Sequence, residues 1–239
     1  MRRIVVLGCV SLMAALGLTS VAQATQTTTL GISATSTKAG ANSKLVVKYT
    51  NRTDQPVDTA PQQSHIVVWF PKGARTDFKD FPHCTVPLSG RPAANCGPAR
   101  LGPGKVFNDA RLDGNHNVLG SMNVYNGGGN VLYLPVVVTQ PADVIVYVRG
   151  ILTKVNSGPY GLRLDANFRI PVLIQGTQPP FINNFTIGPI GAIKRVRGRT
   201  VSFITNPSTC TSKGWGFRID SSYIDGSRSS ATTTVKCKK

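Results

Sequence analysis

The densest positive charge in the chain sits in one short run, Lys194-Arg195-Val196-Arg197-Gly198-Arg199. In an extended segment alternate side chains point the same way. Arg195, Arg197 and Arg199 are therefore expected to form a ladder suited to phosphate or carboxylate groups on an anionic polymer, with Lys194 beside it. The same run on a sheet edge would instead repel a neighbouring strand and keep that edge from aggregating. A second group, Trp215 between Gly214 and Gly216 with Tyr223 and Asp225 downstream, combines a flat ring, a phenol and a carboxylate as a sugar site would. Alternation sets Trp215, Phe217 and Ile219 on one face of a strand and Arg218 on the other, which equally describes three core side chains.

Other chemistry is harder to assemble. A nucleophilic hydrolase needs Ser or Cys activated by a base with an orienting partner. No Gly-x-Ser-x-Gly elbow is present; His65 falls in a strand, and His83 and His116 fall in turn-rich segments. The ten acidic residues are all Asp and are scattered. Asp220 and Asp225, flanking Tyr223, come nearest to the carboxylate pair that glycoside cleavage uses. Neither they nor Asp109 with Asp113 have the ligand spacing of a calcium loop. Asn126-Gly127-Gly128-Gly129 lacks the Gly-Lys-Ser/Thr of a phosphate loop and reads as a hairpin turn. The expectation is a protein without catalytic residues, cofactor or metal.

Strands must position these side chains. Leu162, Leu164, Ala166, Phe168 and Ile170 alternate with Arg163, Asp165, Asn167 and Arg169, the period of a strand with one wet face. Residues 131–138 and 144–148 are apolar throughout, as expected of central strands covered on both sides. Gln140-Pro141-Ala142-Asp143 and Asn156-Ser157-Gly158-Pro159 separate the three runs into a meander. Upstream, residues 27–36 and 43–51 are expected to pair, with Leu45, Val47 and Tyr49 inward and Lys44 and Lys48 outward. A strand over 65–70 follows, with Trp69 assigned to the core. Further strands are read near 105–112, 117–126, 181–187, 199–205, 215–219 and 231–237. With no Glu and abundant Thr, Val, Gly and Pro, the expected fold is all-β, an antiparallel β-sandwich of jelly-roll or immunoglobulin-like type. It should hold about a dozen strands and almost no helix.

The first 24 residues read as an address: Arg2 and Arg3, an apolar stretch over 4–18, and Ala22-Gln23-Ala24 as a small-x-small cleavage site. Cleavage after Ala24 is expected, giving a secreted or envelope-associated chain over 25–239, as one sandwich or two subdomains. No run reaches the roughly 20 apolar residues of a membrane span. Loss of Arg2 and Arg3 reduces 27 basic residues to 25 against ten Asp, a net charge of +15. That balance favours anionic surfaces, whereas export and the lack of a nucleic-acid module disfavour nucleic acid. Cys84, Cys96, Cys210 and Cys237 remain once Cys9 is removed. An even number in an exported chain implies two disulfides, and proximity favours Cys84–Cys96 and Cys210–Cys237 among three pairings.

Phe70-Pro71-Lys72-Gly73, Phe81-Pro82-His83-Cys84, Cys96-Gly97-Pro98, Gly102-Pro103-Gly104, Tyr125-Asn126-Gly127, Cys210, Gly214-Trp215-Gly216-Phe217, Tyr223, Asp225-Gly226 and Cys237 together carry a resemblance. Over this stretch the chain resembles a broad, mostly uncharacterised group of exported proteins of actinobacteria and their relatives. The resemblance implies a secreted, disulfide-bonded β-fold and brings no catalytic residue with it. Two functional expectations stand. One is a non-catalytic structural or interaction protein of the cell envelope, binding anionic surface polymers through a basic face or engaging an extracellular protein. The other is a carbohydrate-binding or glycoside-active module built on Trp215, Tyr223 and Asp225.

Overall fold

Alternating side chains decide the architecture. In β3 (Leu45–Thr53), Leu45, Val47, Tyr49 and Asn51 are buried while Lys48 and Arg52 are exposed. In β16 (Trp215–Tyr223), Trp215, Phe217, Ile219, Ser221 and Tyr223 are buried. Each such strand has one dry face, so the strands must enclose a common interior.

The computed structural model describes residues 25–55, 60–87, 89, 91–109, 118–139, 144–169, 181–196 and 198–239. The expected leader, Asp113, His116, the turn over 140–143, Ile170 and Arg197 lie outside them. The remaining strands are β1 (Gln26–Ala34), β2 (Asn42–Ser43), β4 (Gln63–Pro71), β5 (Arg75–Thr76), β6 (Arg100–Asp109), β7 (Val118–Asn126), β8 (Val131–Tyr133), β9 (Val136–Val138), β10 (Val144–Ser157), β11 (Tyr160–Arg169), β12 (Phe181–Ile190), β13 (Ile193–Val196), β14 (Arg199–Ser202), β15 (Ile204–Thr205) and β17 (Arg228–Val235). A 3-10 turn at Ala94–Ala99 is the one helical element among the described residues. The all-β, antiparallel expectation is met.

Twelve strands form one continuous sheet in the order β1-β3-β12-β6-β7-β8-β10-β11-β4-β16-β17, with β9 pairing β7 and β10. The other five are short. β13 and β14 make a separate hairpin, and β2-β15-β5 make a three-stranded patch. The expected first hairpin is β1 with β3, in register from Gln26↔Thr53 to Ala34↔Leu45. The expected meander is β8/β9, β10 and β11.

The sheet bends back until its edges meet. Every neighbouring pair on the eleven-strand path is antiparallel, so β1 and β17 at its two ends run the same way. Beyond them Lys38 and Lys238 form a parallel bridge, with Ala39 N donating to Lys238 O and Lys238 N to Thr37 O, both at 2.8 Å. Thr28 Oγ1 also contacts Ser229 Oγ across the seam. The edges cover each other, which removes the usual hazard of open strands.

Inside lie Val68, Val124, Leu152, Phe185, Phe217 and Ile219 among others, with Ile219 fully buried. A second, smaller core lies on the outer side of the sheet. There Val86 and the Cys84–Cys96 disulfide pack on Tyr125, Tyr133 and Tyr147. This cover explains why the central strands are apolar on both faces. Asn126, at the end of β7 and wholly buried, fastens the cover: Nδ2 lies 3.1, 3.1 and 3.0 Å from the carbonyls of Phe78, Phe81 and Pro82, and its own carbonyl accepts from Cys84 N at 3.0 Å. The second disulfide, Cys210–Cys237, closes the C-terminal end. Both pairings are those that sequence proximity favours, and bonded cysteines fit an oxidising compartment.

Candidate functional site

The basic run does not form a one-sided ladder. It folds into the β13–β14 hairpin, in which Arg195 pairs with Thr200 and Val196 with Arg199. Gly198, at φ +77°, supplies the left-handed turn residue. Directly opposed residues share a face, and successive ones alternate. Lys194, Val196, Arg199 and Val201 therefore lie on one face and Ile193, Arg195, Thr200 and Ser202 on the other. Arg195 and Arg199 point to opposite sides, contrary to the extended-ladder expectation. Lys194 is turned inward, its Nζ 4.9 Å from the centre of the Phe81 ring.

The residues expected to hold a sugar are also placed elsewhere. Trp215 is 4% exposed, lies inside the sheet and donates Nε1 to Thr209 O at 2.9 Å, so neither ring face is offered to solvent. Tyr223 is buried, its hydroxyl donating to Asn51 Oδ1 at 2.9 Å. Asp225 accepts from Ser227 N at 2.9 Å and Ser227 Oγ at 2.6 Å, the local bonding of an Asx turn between β16 and β17. Asp220 leaves its expected partner and points outward.

Trp69 belongs to the outer face too, since Ile66, Val68 and Phe70 take the inward positions of β4. It stands in a row across three strands, paired with Arg163 of β11 on one side and Arg218 of β16 on the other. In the adjacent row Val67 is flanked by Asp165 and Asp220. β11 and β16 both run antiparallel to β4, so an Arg-x-Asp sequence is presented in the same orientation on each side of the tryptophan. Arg163 Nε lies 2.8 Å from Asp165 Oδ2, and Arg218 Nε lies 2.7 Å from Asp220 Oδ1. Trp69 donates Nε1 to Asp220 Oδ2 at 2.6 Å, and the Arg163 guanidinium lies 5.6 Å from its ring centre. Tyr160 stands beside it with ring centres 5.7 Å apart.

Surface ion pairs of this kind add at most about 1 kcal/mol each. Their consequence is orientation: each arginine is anchored through Nε, while its side chain remains 39% (Arg163) or 44% (Arg218) exposed. Two strand spacings set the pair about 10 Å apart. The arrangement is an indole between two oriented cations, with the Tyr160 ring tilted at 46° beside it.

A serine, a histidine and an aspartate lie near one another on the same face. Ser222 is opposite His65 in register, and His65 Nε2 lies 3.6 Å from Asp165 Oδ1. Acyl transfer also needs free donors aimed at an oxyanion, whereas backbone amides inside a sheet are engaged in its ladder. Among the described residues there is no cluster of three or more His, Cys, Asp or Glu able to hold a metal, and no helix long and apolar enough to cross a membrane.

Hydrophobicity alone assigns Trp69 to the core, which conceals this row in the sequence. The available signal was the repeated spacing Arg163-x-Asp165 and Arg218-x-Asp220, which places each pair on one face of its strand. No protein-family model, curated protein or solved structure matches the chain.

Proposed function

We propose that this is an exported, non-catalytic binding module of the cell envelope whose ligand is an anionic glycan polymer, gripped across the outer face of β11, β4 and β16. The observation that carries the reading is the Arg163–Trp69–Arg218 row. A sugar ring stacks on the partly exposed indole, and acidic groups recurring along the polymer meet the two arginines with charge-assisted hydrogen bonds. Arginine suits this task because its planar fork keeps donors available after Nε is engaged. The net charge of +15 left after leader removal, from 25 basic residues and ten Asp, attracts such a polymer before contact. Export is supported by the leader-like first 24 residues and by the two disulfides.

The test is retention on fractionated envelope polymers across a salt series. Charge-driven binding weakens as salt screens it. Salt-sensitive retention on acidic fractions, lost in an Arg163→Ser/Arg218→Ser double variant and kept in an Arg195→Ser/Arg199→Ser variant, is the expected result. Retention indifferent to the first pair of substitutions overturns the proposal. A neutral-carbohydrate reading rests on the exposure of Trp69 and requires salt-resistant retention that Trp69→Ala removes.

A further inference from the structure

The rolled sheet encloses a cavity of about 150 Å³. Its wall is built by apolar side chains such as Val68, Leu132, Leu162, Ile187 and Phe217, and its lining runs the length of β4, from Gln63 to Pro71. Apolar cavities near this volume stay dry and accept small hydrophobic molecules, and leaving one empty costs stability in proportion to its volume.

Polar side chains in the lining include Gln62, Arg75, Thr76, Thr205 and Asn206, and a further one, at the start of β4, is buried and short of a partner. Gln63 is 1% exposed, its Nε2 donates to the Tyr49 hydroxyl, and its Oε1 has no hydrogen-bond partner. Turning the amide over would leave the nitrogen unsatisfied instead, so in either orientation one half of the amide lacks a partner. An orphaned buried polar atom is costly. The groups around it are neutral: Tyr49, whose hydroxyl is 3.0 Å from Ser221 Oγ, and Ser221 itself. A charged head would be left unpaired at this end, whereas a hydroxyl can donate to Oε1 or accept from Nε2.

We propose that the interior is a second binding site, independent of the outer face, for a small apolar molecule carrying one neutral hydroxyl, a short aliphatic alcohol in chemical class, with the hydroxyl on Gln63. Trp215 also lines the cavity and reports its occupancy.

The experiment titrates the disulfide-intact protein, in a Trp69→Phe background, with 1-hexanol, 1-chlorohexane and hexanoate while Trp215 fluorescence is followed. The alcohol should bind about tenfold more tightly than the chloride, the worth of one hydrogen bond. Gln63→Leu should abolish that preference. Leu134→Phe, which fills the lumen, should abolish binding of both and serves as the second variant should Gln63→Leu not fold. Absence of alcohol binding, or binding unchanged by Leu134→Phe, overturns the site. Preference for hexanoate, insensitive to Gln63 and lost on substitution of Arg75, which also lines the cavity, overturns the assignment of the head group.

Discussion

Tyr223 donates its hydroxyl to Asn51 Oδ1 at 2.9 Å and lies 2.9 Å from Ser229 Oγ, so one phenol ties β16 to both β3 and β17 beside the seam. Tyr223→Phe keeps the ring and removes both bonds. Asn51 Nδ2 already lacks a partner, so this cluster has little slack. A loss of about 1–3 kcal/mol is expected, seen as a lower denaturation midpoint with unchanged slope, while retention on anionic polymers stays at the parent level. Loss of retention with full stability would return Tyr223 to the ligand site.

Burial, reinforced by the neighbouring Tyr223 phenol, raises the pKa of Tyr49 well above its ordinary value of 10.0. The unfolded chain releases this proton as pH passes that value, and the folded chain retains it. The folded state then binds more protons, so the stability contribution is fully present below pH 10 and is lost as pH rises beyond it. Tyr49→Phe should flatten this alkaline decline while lowering stability at neutral pH, because the bonds to Gln63 and Ser221 go with the hydroxyl. Denaturation midpoints followed through the alkaline range check both. An identical decline in the variant would remove Tyr49 as its source.

Asn126 Nδ2 has two hydrogens for the three carbonyls of Phe78, Phe81 and Pro82. Asn126→Ala would strand those acceptors under the cover segment and also free Gly128 N, now bonded to Oδ1 at 2.9 Å. A cost of about 3 kcal/mol is expected, concentrated in residues 78–84. Hydrogen exchange at Cys84 should accelerate more than exchange in β16, and uniform acceleration would contradict a local fastening role.

Local periodicity made much of this fold readable. Leu45, Val47 and Tyr49 turn inward as alternation requires, and the β10–β11 pairing follows from the turn between two strongly patterned runs. Nothing local places β12 between β3 and β6, because that choice depends on which distant strands leave an edge free. The cysteine pairs were legible from spacing. The Arg195–Arg199 ladder does not form, because pairing of Val196 with Arg199 turns Arg199 to the face opposite Arg195. Trp69 was misplaced for a related reason: in a strand, parity with Ile66 and Val68 outweighs the hydrophobicity of one side chain. The outer row and the lumen at Gln63 both arise from pairing between distant strands.

The two disulfides should separate functionally distinct parts of the structure. Cys210–Cys237 spans 27 residues, and Cys237 precedes Lys238, which bridges to Lys38 at the end of the seam. Cys84–Cys96 spans 12 residues and holds the cover over Tyr125, Tyr133 and Tyr147. Chain-entropy arguments give about 3.5 and 3 kcal/mol respectively, too close for global stability to tell them apart. Their local effects differ. Cys210→Ser/Cys237→Ser should speed exchange at Ala39 and Lys238, whose amides close the seam, and leave Cys84 protected. Cys84→Ser/Cys96→Ser should expose residues 78–99 to proteolysis while the seam stays protected. Neither should alter retention on anionic polymers while the sheet stays folded, because Trp69, Arg163 and Arg218 are set by the central pairing of β11, β4 and β16. Loss of retention in a folded Cys84→Ser/Cys96→Ser variant would move the polymer site to the cover segment.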